Sequence, residues 1–321
     1  MFSTVQRQCF SISIVIPCYE RYVFLPDALE SVLRQTVQPQ QIIVLDNASS
    51  HYRIRDVCAQ YRGVQYIRNH SNVGMFGNWN LGLSLSLSTY TLILGDDDVL
   101  ESTYVEEVEK VAIAHCQPDI IYSDYQQFNE KGTLPKAENI HAGILSGSDV
   151  RRLSACHGLF MPVLSASIKT DWFDRFPDEI HASNDWLWSV LLPRDTSVYG
   201  IPKVLLHYRK HNLSDSLNSL DVCSFSHMAI YQYLSAPAGG LGFSERCSAC
   251  WRASQAFASL LWKWSLFSTI KYFSGTDNFY YRVFKTQSSR PIFLIMCSLS
   301  LVFYPLMAMH QKLRRSLLRL L

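Results

Sequence analysis

Charge is scarce in this chain. Asp, Glu, Lys and Arg make up 17% of its 321 residues, against 48% hydrophobic. A chain so poor in charge is not of the disordered class and has material for a large core, enough for one large domain with an appendage or for two domains. Internal repeats and low-complexity segments are missing. The opening stretch MFSTVQRQCFSISIVIP has too short an apolar run, and no clear cleavage site, for a signal peptide. Its β-branched residues and the stop at Pro17 predict a buried first strand instead. Nine cysteines lie at irregular spacings, and the C-x-x-C of Cys247 and Cys250 has no second pair. That pattern argues against a disulfide framework or a four-ligand zinc site, and for reduced thiols in the cytosol.

Acid is almost missing from one region. From Arg246 to Leu321 there are eleven Lys or Arg and a single acid, Asp277, a net charge of +10. Residues 1–245 hold 18 basic and 26 acidic residues, a net charge of −8. An acidic body of this kind disfavours nucleic-acid binding. The basic end also carries AFASLLWKWSLFSTIKYF (256–273) and PIFLIMCSLSLVFYPLMAM (291–309), the latter 19 residues without a charge. That length would just span a bilayer, but the basic end would then face the cytoplasm and push the acidic body outside. The expectation is a helix lying in the interface, or a re-entrant hairpin, on an anionic membrane surface. The alternative is a helical cap over the rest of the chain.

The first half of the chain alternates regularly. Strands are predicted over 11–17, 41–47, 64–69, 90–95 and 119–125, with helices over 25–36, 51–62, 75–87 and 101–115 between them. Such βαβ units predict an α/β fold with a largely parallel sheet covered on both faces, and ligands outside the carboxyl ends of its strands. Asp46 falls at the end of the second strand, and Asp96, Asp97 and Asp98 follow the fourth.

The stretch LILGDDDVL therefore puts three like charges at the ligand edge, beside a run that wants to be buried. Something positive must offset them, either a basic neighbour or a bound cation. No Lys or Arg stands within seven residues on either side. Asp98 could serve alone as a helix N-cap before VLESTYVEEVEK, but three carboxylates exceed what capping needs. Hard carboxylate oxygens suit Mg2+ or Mn2+, which in turn grip a diphosphate.

These motifs carry a resemblance. SIVIPCYERYVFLPDALESVLRQT, IIVLDNASS, NVGMFGNWNLGL and LGDDDVL, in this order, resemble the nucleotide-diphosphosugar glycosyltransferases of family 2. HGLFMPVLSASIKTDWF (157–173), NDWLWSVLL (184–192) and LHYRKHNLSDS (206–216) continue the likeness. It implies a GT-A fold, Rossmann-like with a mostly parallel central sheet, followed by a helical C-terminal region. The expected organisation is a catalytic domain over 1–216, with a nucleotide-sugar half about 1–125 and an acceptor half about 126–216. Residues 217–321 would form the helical, basic, membrane-associating part.

The resemblance also implies roles. Pro17 and Tyr19 would line the nucleotide base, Asp46 would accept from a uracil or thymine N–H, and Asn80 would belong to the donor site. Asp96 and Asp97 would meet the ribose or phosphates. Asp98, with Asp96 and His211, would hold the Mg2+ or Mn2+, which stabilises the leaving diphosphate. Asp185 stands where the family carries its catalytic base, at the start of a helix whose dipole disfavours protonation. The rival for Asp185 is a plain N-cap within Ser183-Asn184-Asp185. Trp186 and Trp188 would either stack on an acceptor sugar or pack into the core. Two departures stand out: Asn184 where the family usually has Glu, and Glu20 where it commonly has Asn.

The reading is an inverting, metal-dependent hexosyltransferase that uses a UDP- or dTDP-linked sugar. It would act on a lipid-linked or growing surface glycan at the cytosolic face of the membrane. A non-catalytic sugar-nucleotide-binding or membrane scaffold protein is one rival. A nucleotidyltransferase is the other, although PCYERYVFLP lacks the glycine its phosphate loop would want.

Overall fold

The computed structural model describes residues 10–134, 141–157, 161–177 and 183–211, with 230, 231, 234, 240–242 and 244–252. Two compact units emerge. One comprises Met1–Asp149, Leu159–Phe176 and Leu192–Asn212, the other Val150–Gly158, Pro177–Leu191 and Leu213–Leu321. The apolar stretches 256–273 and 291–309, which carry the expected membrane association, lie outside the described residues. Among the described residues no helix is long and apolar enough to cross a membrane.

The first unit is built on one mixed sheet. Its first strands are β1 (Ile12–Cys18), β2 (Gln41–Asp46), β3 (Val64–Arg68) and β4 (Tyr90–Ile93), interleaved with helices α1 (Leu25–Leu33), α2 (Arg53–Cys58) and α3 (Met75–Ser84). These match the predicted alternation, with ends trimmed by a few residues. β2 lies between β1 and β3, and β1 also pairs with β4, all parallel. Alternation along β1 sorts its side chains by face. Ile12, Ile14, Ile16 and Cys18 join the cluster that contains Leu25, Ala28, Leu29 and Val32 of α1 and Ile54 and Cys58 of α2. Val15 points the other way, towards α3. A Cβ at Gly82 of α3 would sit 2.5 Å from Val15 Cγ1, so only glycine lets this helix approach the strand so closely.

The rest of the sheet departs from the simple rhythm. β5 (Val99–Leu100) is a two-residue strand directly after the aspartates, and α4 (Tyr104–Ala114) begins only at Tyr104. Asp98 is therefore not the cap of that helix. Then come β6 (Ile120–Asn129), β7 (Gly132–Thr133), β8 (Gly143–Ser146), α5 (Gly147–His157), β9 (Ala166–Lys169), α6 (Asn184–Leu191) and β10 (Ser197–Arg209). The strand order is β3-β2-β1-β4-β9-β6-β10-β5, with β7 beside β6 and β8 beside β10. β9 runs antiparallel to both β4 and β6. β10 is parallel to β6 and antiparallel to β5, which brings Arg209 back to the start of β5.

In the second unit α6 buries Trp186, Leu187, Trp188 and Val190. Trp186 is 1% exposed and meets Tyr231 edge-on at 4.8 Å, and Trp188 is 6% exposed. Of the two uses open to these tryptophans, the structure has core packing and not a sugar platform.

Candidate active site

Parallel register sets the first corner of the site. Cys18, Asp46 and Arg68 are partners across β1, β2 and β3, so all three strands end in line. Asp46 is fully buried. Its Oδ1 accepts the Ser49 N–H at 2.9 Å and the Ser49 hydroxyl at 2.6 Å, and its Oδ2 accepts the Tyr66 hydroxyl at 2.7 Å. Arg68 Nε stands 3.6 Å from the same Oδ2. The carboxylate expected to meet a nucleobase is thus already engaged by its own chain. Ser49, Tyr66 and Arg68 have no place in the sequence reading: Ser49 reaches Asp46 through the turn after β2, and Tyr66 and Arg68 through the neighbouring strand β3. Pro17 is half-buried, while Tyr19 is 50% exposed just past the strand end and presents an open ring.

An asparagine network stiffens the loop behind this corner. Asn47 Nδ2 donates to Asn72 Oδ1 and to the Gly74 carbonyl, and Asn69 Nδ2 donates to Asn47 and Asn78. Asn80 lies two residues further along α3. Its Nδ2 donates to the Phe176 carbonyl at 3.0 Å and its Oδ1 accepts the Phe176 N–H at 2.7 Å. Both polar ends of its amide tie α3 to the segment after β9.

The second corner holds the three aspartates. All are buried, Asp98 completely. The positive partner comes from 75 positions away in sequence. Arg21 Nε donates to Asp96 Oδ1 at 3.1 Å and to Oδ2 at 3.3 Å, and its terminal nitrogen also reaches Asp96 Oδ1 and lies 3.1 Å from Asp97 Oδ2. Arg21 is presented by a tight turn after β1, in which Glu20 takes a left-handed φ of 58°. Asn tolerates that conformation more readily than Glu, which explains the family's usual residue there. Here the turn is held by side chains instead. Glu20 N–H donates to Ser49 Oγ at 2.8 Å, and its carboxylate accepts the Ser50 N–H and hydroxyl.

The end of β10 closes the corner. Arg209 N–H donates to Asp98 Oδ1 at 2.9 Å and its Nε donates to the Asp97 carbonyl at 2.8 Å. Its guanidinium continues to Asp27 at 2.7 Å and lies over the rings of Phe24 and Phe128. His211 Nε2 lies 2.8 Å from Asp97 Oδ2 as a donor to it, and its ring packs on Phe24. Arg209, the last residue of β10, and His211 just beyond it thus both meet Phe24. His211, expected as a metal ligand together with Asp98 and Asp96, stands against the neighbouring Asp97.

One oxygen stands out. Asp98 Oδ2 is buried and has no hydrogen-bond partner among the described residues. Burial, and after it the charge of Asp97, push the Asp98 carboxyl well above the usual carboxylate range, against the pull of the Arg209 N–H. A Cβ at Gly95 would come within 2.7 Å of that same Oδ2, so a larger residue here would have to push the carboxylates aside. Among the described residues no three His, Cys, Asp or Glu side chains stand ready as a metal cluster. Burial, then Asp96, raises the thiol of Cys18 well above its ordinary value, so this cysteine between the corners is not a nucleophile.

In the second unit Asp185 is half-buried in the first turn of α6. Burial raises its carboxyl above the ordinary value, while the N–H groups of Trp186 and of Asp185 itself pull it down. The helix start was expected to favour ionisation, and burial outweighs it.

Comparison with known proteins gives these motifs a family. Residues 13–174 match the family model described as glycosyl transferase family 2. An uncharacterised glycosyltransferase of Rickettsia felis is 26% identical over 202 residues, covering 62% of this chain and 33% of its own. The chain therefore spans about a third of that relative's length. Glycosyltransferase YwdF of Bacillus subtilis, also uncharacterised, is 26% identical over 215 residues, covering 64% of this chain and 76% of its own. Among solved structures, S. aureus TarS 1–349 in complex with UDP-GlcNAc superposes with a TM-score of 0.56 at 15% identity, over 78% of this chain and 72% of that one. The same protein with UDP gives 0.54 over 80% and 73%. At that identity the likeness establishes a shared GT-A fold.

Proposed function

This chain belongs to glycosyl transferase family 2, and from that premise we propose that it moves a sugar from a nucleoside-diphosphate sugar to an acceptor hydroxyl. The family match supports the reaction class, and the UDP and UDP-GlcNAc bound to a structural neighbour support a uridine-linked donor. The observation that carries the reading is the buried, unpartnered Asp98 oxygen at the carboxyl edge of the sheet, where donors bind in folds of this type.

In this reading 1–216 is the catalytic part. Tyr19 offers its ring to the base, and the Asp46 corner holds the base edge through exchange with the Ser49 and Tyr66 hydroxyls. The residues of the second corner suit a hard divalent cation in chemistry: Asp98 with its spare oxygen, Asp96, and His211 through Asp97. Mg2+ or Mn2+ bound there would supply charge stabilisation for the leaving diphosphate. Asp185, whose carboxyl burial raises above its ordinary value, is the group proposed to take the acceptor proton. A single displacement with one base gives inversion at the anomeric carbon. Residues 217–321, basic and apolar, fit a peripheral seat on the inner face of the cell membrane, beside a lipid-linked or growing surface glycan.

The test is a panel of sugar nucleotides, each with and without Mn2+, read as protection against thermal unfolding. A ligand that binds only the folded chain raises the midpoint. One or more nucleotides should protect in a Mn2+-dependent way, and a panel without any shift rejects the proposal.

A further inference from the structure

We infer that Arg21 is a built-in counter-ion that keeps the acidic corner closed to metal until the donor's diphosphate draws its guanidinium away. Cation and donor then enter as a linked pair. The inference rests on the donor reading above and assigns a residue to which neither the motifs nor the family match gives a role.

Three observations carry it. First, the guanidinium spans two carboxylates, with Nε at 3.1 and 3.3 Å from Asp96 and a terminal nitrogen 3.1 Å from Asp97 Oδ2. The side chains involved are 18%, 5% and 12% exposed, so the contact is largely shielded from water. Second, the compensation is incomplete. Three carboxylates crowd the corner, and Asp98 Oδ2 is left buried and unpartnered with Arg21 in place. Third, the backbone of Arg21 is fixed by the turn. Its N–H donates to the Tyr19 carbonyl at 2.6 Å, and the preceding Glu20 is locked to Ser49 and Ser50. Only the long side chain remains to move, and it starts from the turn that also carries Tyr19.

A guanidinium fork fits phosphate as well as it fits carboxylate. A diphosphate arriving at this edge competes with Asp96 and Asp97 for the same donors. When it wins, Arg21 pairs with the diphosphate, and the two carboxylates lose their counter-ion and are open to a divalent cation. Cation affinity in the absence of donor is therefore held low, and donor and cation strengthen each other's binding by the same factor.

The experiment measures Mn2+ binding to the full chain without nucleotide, by the paramagnetic resonance signal of free Mn2+. Arg21→Gln should bind Mn2+ about tenfold more tightly than the natural chain, equivalent to ~1.4 kcal/mol. Arg21→Lys, which keeps the charge, should stay near the natural affinity. UDP should tighten Mn2+ binding in the natural chain and do so less in Arg21→Gln. Mn2+ should also raise the unfolding midpoint of Arg21→Gln more than that of the natural chain, which checks that the variant is folded. Equal or weaker Mn2+ binding by Arg21→Gln overturns the inference, as does an Arg21→Lys chain that binds as tightly as Arg21→Gln. Tighter Mn2+ binding by Arg21→Gln with no effect of UDP on either chain upholds the counter-ion and overturns the donor linkage. Unchanged Mn2+ binding together with UDP protection overturns Arg21 alone and leaves the glycosyltransferase reading standing.

Discussion

The two units each enclose acidic groups, and they treat them in opposite ways. In the first unit Asp96, Asp97 and Asp98 are surrounded by positive or donor groups: Arg21, His211 and the Arg209 N–H. In the second unit the influences resolved on Asp185 are burial and two backbone N–H groups, with no cation among them. Carboxylates that face cations can exchange one positive partner for another. In the proposed reading, a carboxyl raised by burial serves to exchange a proton. The proposed function gives binding and proton transfer to these different acids, and that proposal can be broken by swapping one atom at a time.

The largest effect should come from Asp185→Asn. The amide keeps the shape and the ability to accept from the first-turn N–H groups, but it cannot take a proton. Turnover should fall by roughly 10²–10⁴, the usual worth of a positioned general base. Donor and Mn2+ binding, measured by thermal protection, should stay near those of the natural chain. The product should carry the anomeric configuration opposite to that of the donor. Near-normal turnover, or a retained configuration, would erase the contrast between the two acids.

A smaller loss is expected at the other pole. Asp98→Asn still accepts the Arg209 N–H through its amide oxygen, and it removes charge from the atom that now lacks a partner. Folding should be preserved or improved, since an unpartnered carboxyl in this corner is costly. Mn2+ affinity and Mn2+-dependent donor affinity should fall together, by about 10–100-fold, the loss seen when even a supporting group of a metal site is removed. Donor binding that is unchanged in this variant and in the presence of EDTA would move the cation elsewhere.

What could be read from the chain in advance follows the range of the interactions. β1 to β4 and their helices were readable because each is a run of apolar residues whose period is local. The position of the aspartates at the sheet edge follows from the same rhythm. β5 escaped because two residues carry no period, and with it the reason Asp98 faces Arg209. β9 escaped as a partner of β4 because an antiparallel insertion from 70 and more residues away leaves no local mark. The same holds for the cation itself. The requirement for positive charge beside LILGDDDVL was visible, but its source, Arg21, is chosen by the β1–β4 register and a turn at Glu20. Asp46 shows the converse. Its place on the ligand edge was evident, yet the hydroxyls of Ser49 and Tyr66 that occupy it depend on a turn and a neighbouring strand.

The smallest effect bears on the one local reading that competed with the base. An ordinary N-cap aspartate is favoured in its ionised form by the helix start, and its pKa goes down. Asp185 goes up, chiefly through burial. The sign then follows. A free aspartate titrates near ~3.9 in an unfolded chain. Above that value and up to its own raised value, the folded chain holds a proton that the unfolded chain has released. The stabilising contribution is complete below the unfolded value and is lost as pH rises through the folded one. Asparagine has no such dependence. Asp185→Asn should therefore gain stability relative to the natural chain as pH rises across that window, then keep a constant lead. About 1 kcal/mol moves the midpoint of a protein this size by only ~2–4 °C, so the shift is modest and is best followed as a difference between the two chains at each pH. The opposite slope, with the asparagine chain losing ground as pH rises, would mean that the ionised carboxylate is the form the fold prefers. Asp185 would then be a cap, and the proton acceptor would have to be sought among the other acids.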